Sequence, residues 1–474
     1  MRVFSCFAPC ARRGTPGREV LRMEFVRVPG RPLVGHLFDA WEDGPRFMLR
    51  GLLEHGDHVC FRFAHYDYRL IGDPEDVRHV LVRHHENYVK SRNYAGLRLT
   101  LGEGLVTSEG AHWKRQRKLA QPVFTPRRLT GFVDTMAACT DALLEDWERR
   151  GRGAPLALDV HREMMRLTFR IVGLTLMGVD LEGEAQTFAG ALEEALHFAN
   201  DYVENPLSLP PWVPTARNRR FRAAMATLDG TVGRLVRARR EEGGEEDLLG
   251  MLVAATDGGE RMTDAQLRDE VLTMVVAGHE TTANALSWTW ALLSQHPAVA
   301  RRVEAEARSV LGDGPPTAAD LDRLEYTERV IREALRLHPP VWIIERDALA
   351  EDSLGGYRVL AGATVAISPY ALHRHPRWWA NPEGFDPDRF LPERVAERPR
   401  YVYLPFGAGP RVCIGAGFAL MEAKLILAMI ARRHRLELEP GHPLEADPGI
   451  TLRPRHGVRV RVRPAPPATR DAAA

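Results

Sequence analysis

Cysteine is scarce in this chain: Cys6, Cys10, Cys60, Cys139 and Cys413 are the five in 474 residues. Their odd number and irregular spacing argue against a disulfide framework and point to a reducing, cytoplasmic setting. No second cysteine lies near Cys413, which argues against a structural zinc or iron–sulfur site there. No uninterrupted apolar run reaches the length of a membrane span, so no integral membrane segment is expected. The net charge of +1 leaves no whole-molecule field for nucleic acid or a membrane surface. Repeats of 20–50 residues are absent. Length alone would suggest about three domains, but no Pro/Gly/Ser-rich linker divides the chain, and residues 23–463 read as one domain.

The composition that remains, 45% apolar and 27% charged, is that of a globular protein long enough to bury a cofactor. Residues 1–22 carry a short apolar run, Val3 to Ala8, followed by Arg12 and Arg13, the wrong length and order for a signal peptide. They are expected to be a disordered tail or a start-site artefact, with Met23 as the alternative start. Residues 464–474 are expected to be a second disordered tail.

The pattern predicts a helix over about 42–55, a hairpin from 58–63 and 67–71, and mostly helix after Pro74. Residues 241–247 read as an exposed loop. The longest helix is expected from Thr263 to His296, opened by the capping box Thr263–Gln266 and stopped by Pro297. Its stretch Val271–Val276 is apolar all round, so it should be buried. Further helices are expected over about 319–337 and 416–433.

The chemistry concentrates around Cys413, which stands in a glycine-rich loop directly before the last of these helices. A thiol at a helix start is biased toward thiolate, and Gly409 and Gly415 let backbone N–H groups approach it. One thiolate offering one bond suits a haem iron, whose equatorial ligands come with the porphyrin. In the run Phe406-Gly-Ala-Gly409-Pro-Arg411-Val-Cys413-Ile-Gly415 five residues match, in order and spacing, the haem-binding loop F-x-x-G-x-R-x-C-x-G. By chance this occurs about once in a few million windows. The chain resembles the cytochrome P450 family, from about Gly30 to Arg463.

That resemblance implies a mainly α fold with a small β-rich region, haem b buried between the long helix and the cysteine loop, and Cys413 as the axial ligand. Ala277-Gly278-His279-Glu280-Thr281-Thr282 matches the family's oxygen-activation motif, which makes Glu280 and Thr281 an acid–alcohol pair that relays protons. Ala277 and Gly278 would let a flat cofactor lie close to the helix, and His279 is a passenger. Read without the motif, Thr281 bonds back to the preceding turn and Glu280 meets a buried base. Glu333 and Arg336 match E-x-x-R, and Arg389 lies in a segment like P-E-R-F, with Asp388 in place of Glu. By resemblance these three form a structural ion network. Trp113 and Arg117 match W-x-x-x-R and, with Arg346 and Arg411, would meet the haem propionates.

Substrate contacts by resemblance fall at Leu97 and Leu99 in a loop, in the segment around 188–213, at Val276 and Ala277, at Trp342, Ile343 and Ile344, and at Leu452. Leu207–Pro214 reads as a loop between two lid helices. The basic residues Lys114, Arg115, Lys118, Lys424, Arg432 and Arg433 could face an acidic electron donor. Nothing resembles a flavin, NADPH or iron–sulfur domain. The implied activity is insertion of one oxygen atom from O2 into an apolar molecule such as a fatty acid, terpenoid or steroid. Electrons would come from a ferredoxin or flavodoxin with its reductase, and a monomer is expected. A peroxide-driven peroxygenase and a non-catalytic haem-binding protein are the alternative readings.

Overall fold

The computed structural model describes residues 23–466 except 65, 180–184, 205–207, 245–246, 258 and 313. Helices make the body and a six-stranded sheet makes one flank. The long helix Asp264–Gln295 runs through the main apolar core. Its start is fixed by the expected box: Gln266 N–H donates to Thr263 Oγ1 at 3.2 Å and Thr263 N–H to Gln266 Oε1 at 2.9 Å. His296 leaves helical geometry and Pro297 begins a new helix, because proline cannot continue the hydrogen-bond ladder.

Helix Val160–Leu176 packs along the long helix, and Gly278 permits the approach. A Cβ there would lie 3.1 Å from Val172. Thr168 Oγ1 donates to the His279 carbonyl at 3.0 Å. His279 itself is buried: its Nδ1 donates to the Val275 carbonyl of its own helix at 2.8 Å, and its ring meets Phe169 of the neighbouring helix edge-on, centroids 5.4 Å apart. Helix Ala416–Arg433, which follows the cysteine loop, is buried over most of its length within the same core.

The sheet runs in the order Val26–Arg27, His58–Phe63, Tyr66–Ile71, Thr364–Ile367, Ile344–Ala348, Tyr88–Lys90. Its last pairing is antiparallel and sets Lys90 directly opposite Arg346. A three-stranded sheet joins His434–Leu438, Arg459–Pro464 and Leu156–Asp159. The hairpin Ala446–Pro448/Leu452–Pro454 lies against the long helix, where Trp288 Nε1 donates to the Leu452 carbonyl at 3.1 Å.

Several boundaries differ from expectation. The first helix begins at Leu37 and kinks at Asp43, just before Pro45. The expected helix 319–337 is two, Ala318–Arg323 and Glu325–Leu337, broken where Leu324 takes a ψ of 60°. Leu97 and Leu99 stand in a short helix, Ala95–Leu101, rather than in a loop. The expected loop 241–247 is shorter, because helix Ala216–Glu242 covers its start and buried Asp247 caps the next helix at its end. The last strand reaches Pro464, and Ala465 N–H donates to the Arg433 carbonyl at 2.8 Å, so ordered structure passes the expected edge of the tail. Residues 1–22 and 467–474 lie outside the described residues.

Candidate active site

The cysteine loop is shaped by its glycines and its carbonyls. Gly409 has φ of +69°, and a Cβ on it would sit 1.9 Å from the Leu81 carbonyl oxygen, so only glycine fits. Cys413 N–H donates to the Phe406 carbonyl at 2.9 Å, which closes the loop. Gly415 has an ordinary negative φ and a Cβ there would make only normal contact, so its N–H rather than its missing side chain is what serves the sulfur. Burial pushes the Cys413 thiol up, against the Gly415 N–H and the Arg117 charge, which both favour thiolate. The helix-start bias expected from sequence does not win by itself, and a bound metal cation would have to supply the remaining stabilisation.

Cys413 combines that burial effect with an exposed surface. A sulfur deep in the molecule that still has open surface faces interior space. The long helix has a matching feature. Ala277 is exposed although Val271–Val276 before it and Thr282–Leu293 after it are buried, so its open side also faces inward.

The second feature is an excess of positive charge. Lys90 and Arg346 are opposed across the ladder, and like charges placed so repel. Burial holds the Lys90 ammonium well below its usual range, and the Arg346 and Arg411 charges lower it further. Arg411 is pulled down to about 10, again mainly by burial. Arg98 also acts on Lys90, and its buried Nε makes no hydrogen bond. Glu109 binds Arg411 and accepts from Lys90 N–H at 2.7 Å, and Glu103 lies 3.8 Å from Arg98, so two carboxylates face four cations. Buried cations call for anions. Two carboxylates on the edge of a flat group, with a thiolate reaching its centre, suit these residues, so the donor set fits haem.

The sequence candidates divide around this site. Trp113 is buried with the Arg411 guanidinium over its ring at 4.1 Å. Arg117 Nη1 donates to the Val412 carbonyl at 2.9 Å, beside the cysteine, and its charge also acts on Arg411 of the cation cluster. Phe406 is half-buried against the main core. Lys90, Arg98 and Glu109 were not singled out from sequence. No motif marks them, and only the strand register, the helix Ala95–Leu101 and the start of helix Gly110–Ala120 bring them to Arg346 and Arg411.

Glu280 and Thr281 diverge, as neighbours on a helix must, by about 100°. Thr281 Oγ1 donates to the Ala277 carbonyl at 2.7 Å. Glu280 Oε1 accepts from Thr451 Oγ1 at 2.5 Å, and Thr451 accepts from Asn284 Nδ2 at 3.1 Å. Glu280 is therefore hydrogen-bonded to a hydroxyl, and its charge also acts on the imidazoles of His161 and buried His279. Its half-buried position beside Thr451 links the helix to the hairpin ending in Pro454.

The ion network behind the loop is closed on every side. Arg336 and Glu333 are fully buried and doubly bonded, at 2.7 and 2.8 Å. Arg336 also donates to the carbonyls of His373, Pro382 and Gly384. Arg389 reaches Glu333 at 3.3 Å and the carbonyls of Ala380 and Asn381. Asp388 engages Arg329 at 2.9 Å instead of joining them.

Among the substrate candidates, Leu97 and Leu99 are partly buried and Val276 is 9% exposed. Trp342 and Ile343 pack beside the first helix, with Trp342 Nε1 donating to the Gly449 carbonyl at 3.0 Å. Ile344 and Leu452 are buried core residues. Lys424 is not on the surface: it is buried, bonded to Glu328 at 2.9 Å and to the Leu321 carbonyl.

Comparison with known proteins agrees with this geometry. The cytochrome P450 family model matches residues 27–459. The heme domain of cytochrome P450DA superposes with a TM-score of 0.87 at 30% identity, covering 94% of this chain and 98% of that one. The chain belongs to the cytochrome P450 family and is a haem b-dependent monooxygenase with the family's mainly α fold. Two Streptomyces melanosporofaciens proteins are among its relatives. Cyclooctatin synthase is 38% identical over 88% of this chain and 90% of its own. Cyclooctat-9-en-7-ol 5-monooxygenase is 37% identical over 87% and 90%. No helix among the described residues is long and apolar enough to cross a membrane.

Proposed function

We propose that this monooxygenase hydroxylates an apolar, terpenoid-like molecule, with Cys413 as the iron ligand and a separate ferredoxin or flavodoxin system as electron source. The observation that carries the site assignment is the pair of inward-facing surfaces, at Cys413 on the loop and at Ala277 on the long helix. When bound, the haem supplies the redox chemistry that splits O2, one atom going to substrate and the other, with two protons and two electrons, to water.

The protein's part is to bind, shield and deliver protons. Lys90, Arg346 and Arg411 would hold the propionates and exchange mutual repulsion for charge-assisted bonds. Arg117 fixes the Val412 carbonyl and with it the approach of the sulfur. Thr281 already donates its proton to Ala277, so its oxygen is free to accept a hydrogen bond from a water. Glu280, bonded to Thr451 and through it to Asn284, is the start of a route by which protons enter. Leu97, Leu99 and Val276 offer no polar anchor, which suits a hydrocarbon skeleton. The name of one relative describes oxidation of an unsaturated cyclic alcohol, and this favours the terpenoid member over fatty acids and steroids.

The electron donor would dock where a concavity of about 500 Å³ is lined by Trp113, Lys114, Arg117 and Lys118. Lys114 and Lys118 are exposed there, each with one acidic neighbour, Glu86 and Asp257. The test is reconstituted turnover with a ferredoxin and its reductase against a panel of terpenoids and fatty acids. Product with a terpenoid but none with a fatty acid is expected. Turnover of fatty acids alone would overturn the substrate class, and turnover driven by peroxide faster than by any reductase would overturn the electron source.

A further inference from the structure

The segment against which the cysteine loop packs carries a second set of donors. His79–Arg83 is a turn of π-helix, closed by His84 N–H donating to the His79 carbonyl at 2.8 Å. In an α-helix residues five apart diverge by about 140°, but a π turn brings them into line. The imidazoles of His79 and His84 consequently stack, with centroids 3.9 Å apart. Strand Asp352–Leu354 brings a carboxylate to them. His79 Nε2 lies 2.8 Å and His84 Nδ1 3.7 Å from the same oxygen, Asp352 Oδ2. One donor atom of each lies within 4.8 Å of the others, the one such trio of His, Cys, Asp or Glu among the described residues.

We propose that His79, His84 and Asp352 bind a divalent first-row transition ion, zinc foremost. Two imidazoles and a carboxylate are an ordinary zinc donor set, with water as the fourth ligand. A tetrahedron with bonds of 2.0–2.1 Å has edges of about 3.3–3.4 Å, and the observed 2.8 and 3.7 Å straddle that length.

The carboxylate is already held in place. Tyr88 OH donates to Oδ2 at 3.0 Å and Ser353 N–H to Oδ1 at 2.8 Å, as outer partners of a metal ligand do. Asn87 clamps the histidine segment to the strand by bonding both the N–H and the carbonyl of Ala350. Arg78 and Arg83, the nearest cations in sequence, are both engaged by Glu75.

Entry is open at His84, whose side chain is 52% exposed. Seating an ion requires that ring to turn out of the stack so that its lone pair converges with that of His79. The proton shared by His79 and Asp352 leaves to solvent. The Leu81 carbonyl that abuts Gly409 belongs to this same turn, so the ion would brace the backbone on which the cysteine loop rests.

The test uses the tag-free, haem-loaded full chain, dialysed against a chelator and titrated with zinc chloride by calorimetry, with X-ray absorption at the zinc edge. One equivalent at micromolar affinity or tighter is expected, with two imidazole nitrogens and oxygen around the ion. His84→Ala and Asp352→Asn should each weaken binding at least tenfold. His84 is half-exposed, and an unchanged haem spectrum in His84→Ala would confirm that the fold is kept. Absence of binding below millimolar zinc would overturn the proposal. So would equal affinity in both variants, since the ion would then sit on others of the 18 histidines.

Discussion

The scaffold behind the cysteine and the upstream half of the long helix handle buried charge in opposite ways. Behind the cysteine, Arg336 makes five hydrogen bonds and Glu333 is shared with Arg389 and the Asp386 N–H. On the long helix, Glu270 is fully buried yet only one of its oxygens is bonded, by Leu105 N–H at 3.2 Å, while Thr273 Oγ1 has no protein partner. A saturated network has one low-energy arrangement, and it can hold a reactive sulfur in register. An unsaturated one can accept further groups or move. In the proposed site the rigid side would fix the cofactor, and the unsaturated side adjoins the turn carrying Ala277.

The largest effect that sharpens this contrast is removal of the ligand. Cys413→Ala should abolish turnover and the thiolate-type spectrum while the fold persists, as judged by circular dichroism. Next comes the saturated network. Arg336→Ala leaves the Glu333 carboxylate buried without its main partner, a loss of about 3–5 kcal/mol. Chemical denaturation should register that loss, with poor haem retention. A loss below about 1 kcal/mol would show that the network is not rigid.

Thr281→Ala should leave the fold and haem intact but lower product formed per electron pair roughly tenfold or more, with peroxide released. Unchanged coupling would remove Thr281 from the proton route.

A pH-dependent effect belongs to Glu270. Burial raises its carboxyl from 4.5 to about 8. The folded state then binds a proton that the unfolded state releases. Its stabilising contribution is present below about 4.5 and is lost as pH rises to about 8, with no further change above. Thermal melts across that window should decline more steeply in the wild type than in Glu270→Gln. Equal slopes would mean that Glu270 has found a partner.

Sequence reasoning reached the rigid side more easily than the open one. The cysteine loop, Glu333–Arg336 and the long helix with its Thr263 cap are local patterns, in which residues close in sequence do the work. Lys90 and Arg346 are 256 positions apart, and only their register as Cα partners shows that they repel. Leu452 looked like a pocket residue by position, but its side chain is completely buried. Lys424 looked like surface charge, but the pairing with Glu328 takes it inside. The break at Leu324 follows from tertiary packing, since a helical pattern continues across it.

The central claim is that Cys413 delivers a thiolate to a haem iron held by the Lys90–Arg346–Arg411 cluster. The measurement that tests it most directly is the absorption spectrum of the reduced, carbon-monoxide-bound protein, recorded for wild type and for Arg411→Ala. A strongly red-shifted Soret band in the wild type is predicted, with faster haem loss in the variant. An unshifted band, or haem retained equally well without Arg411, would contradict the account.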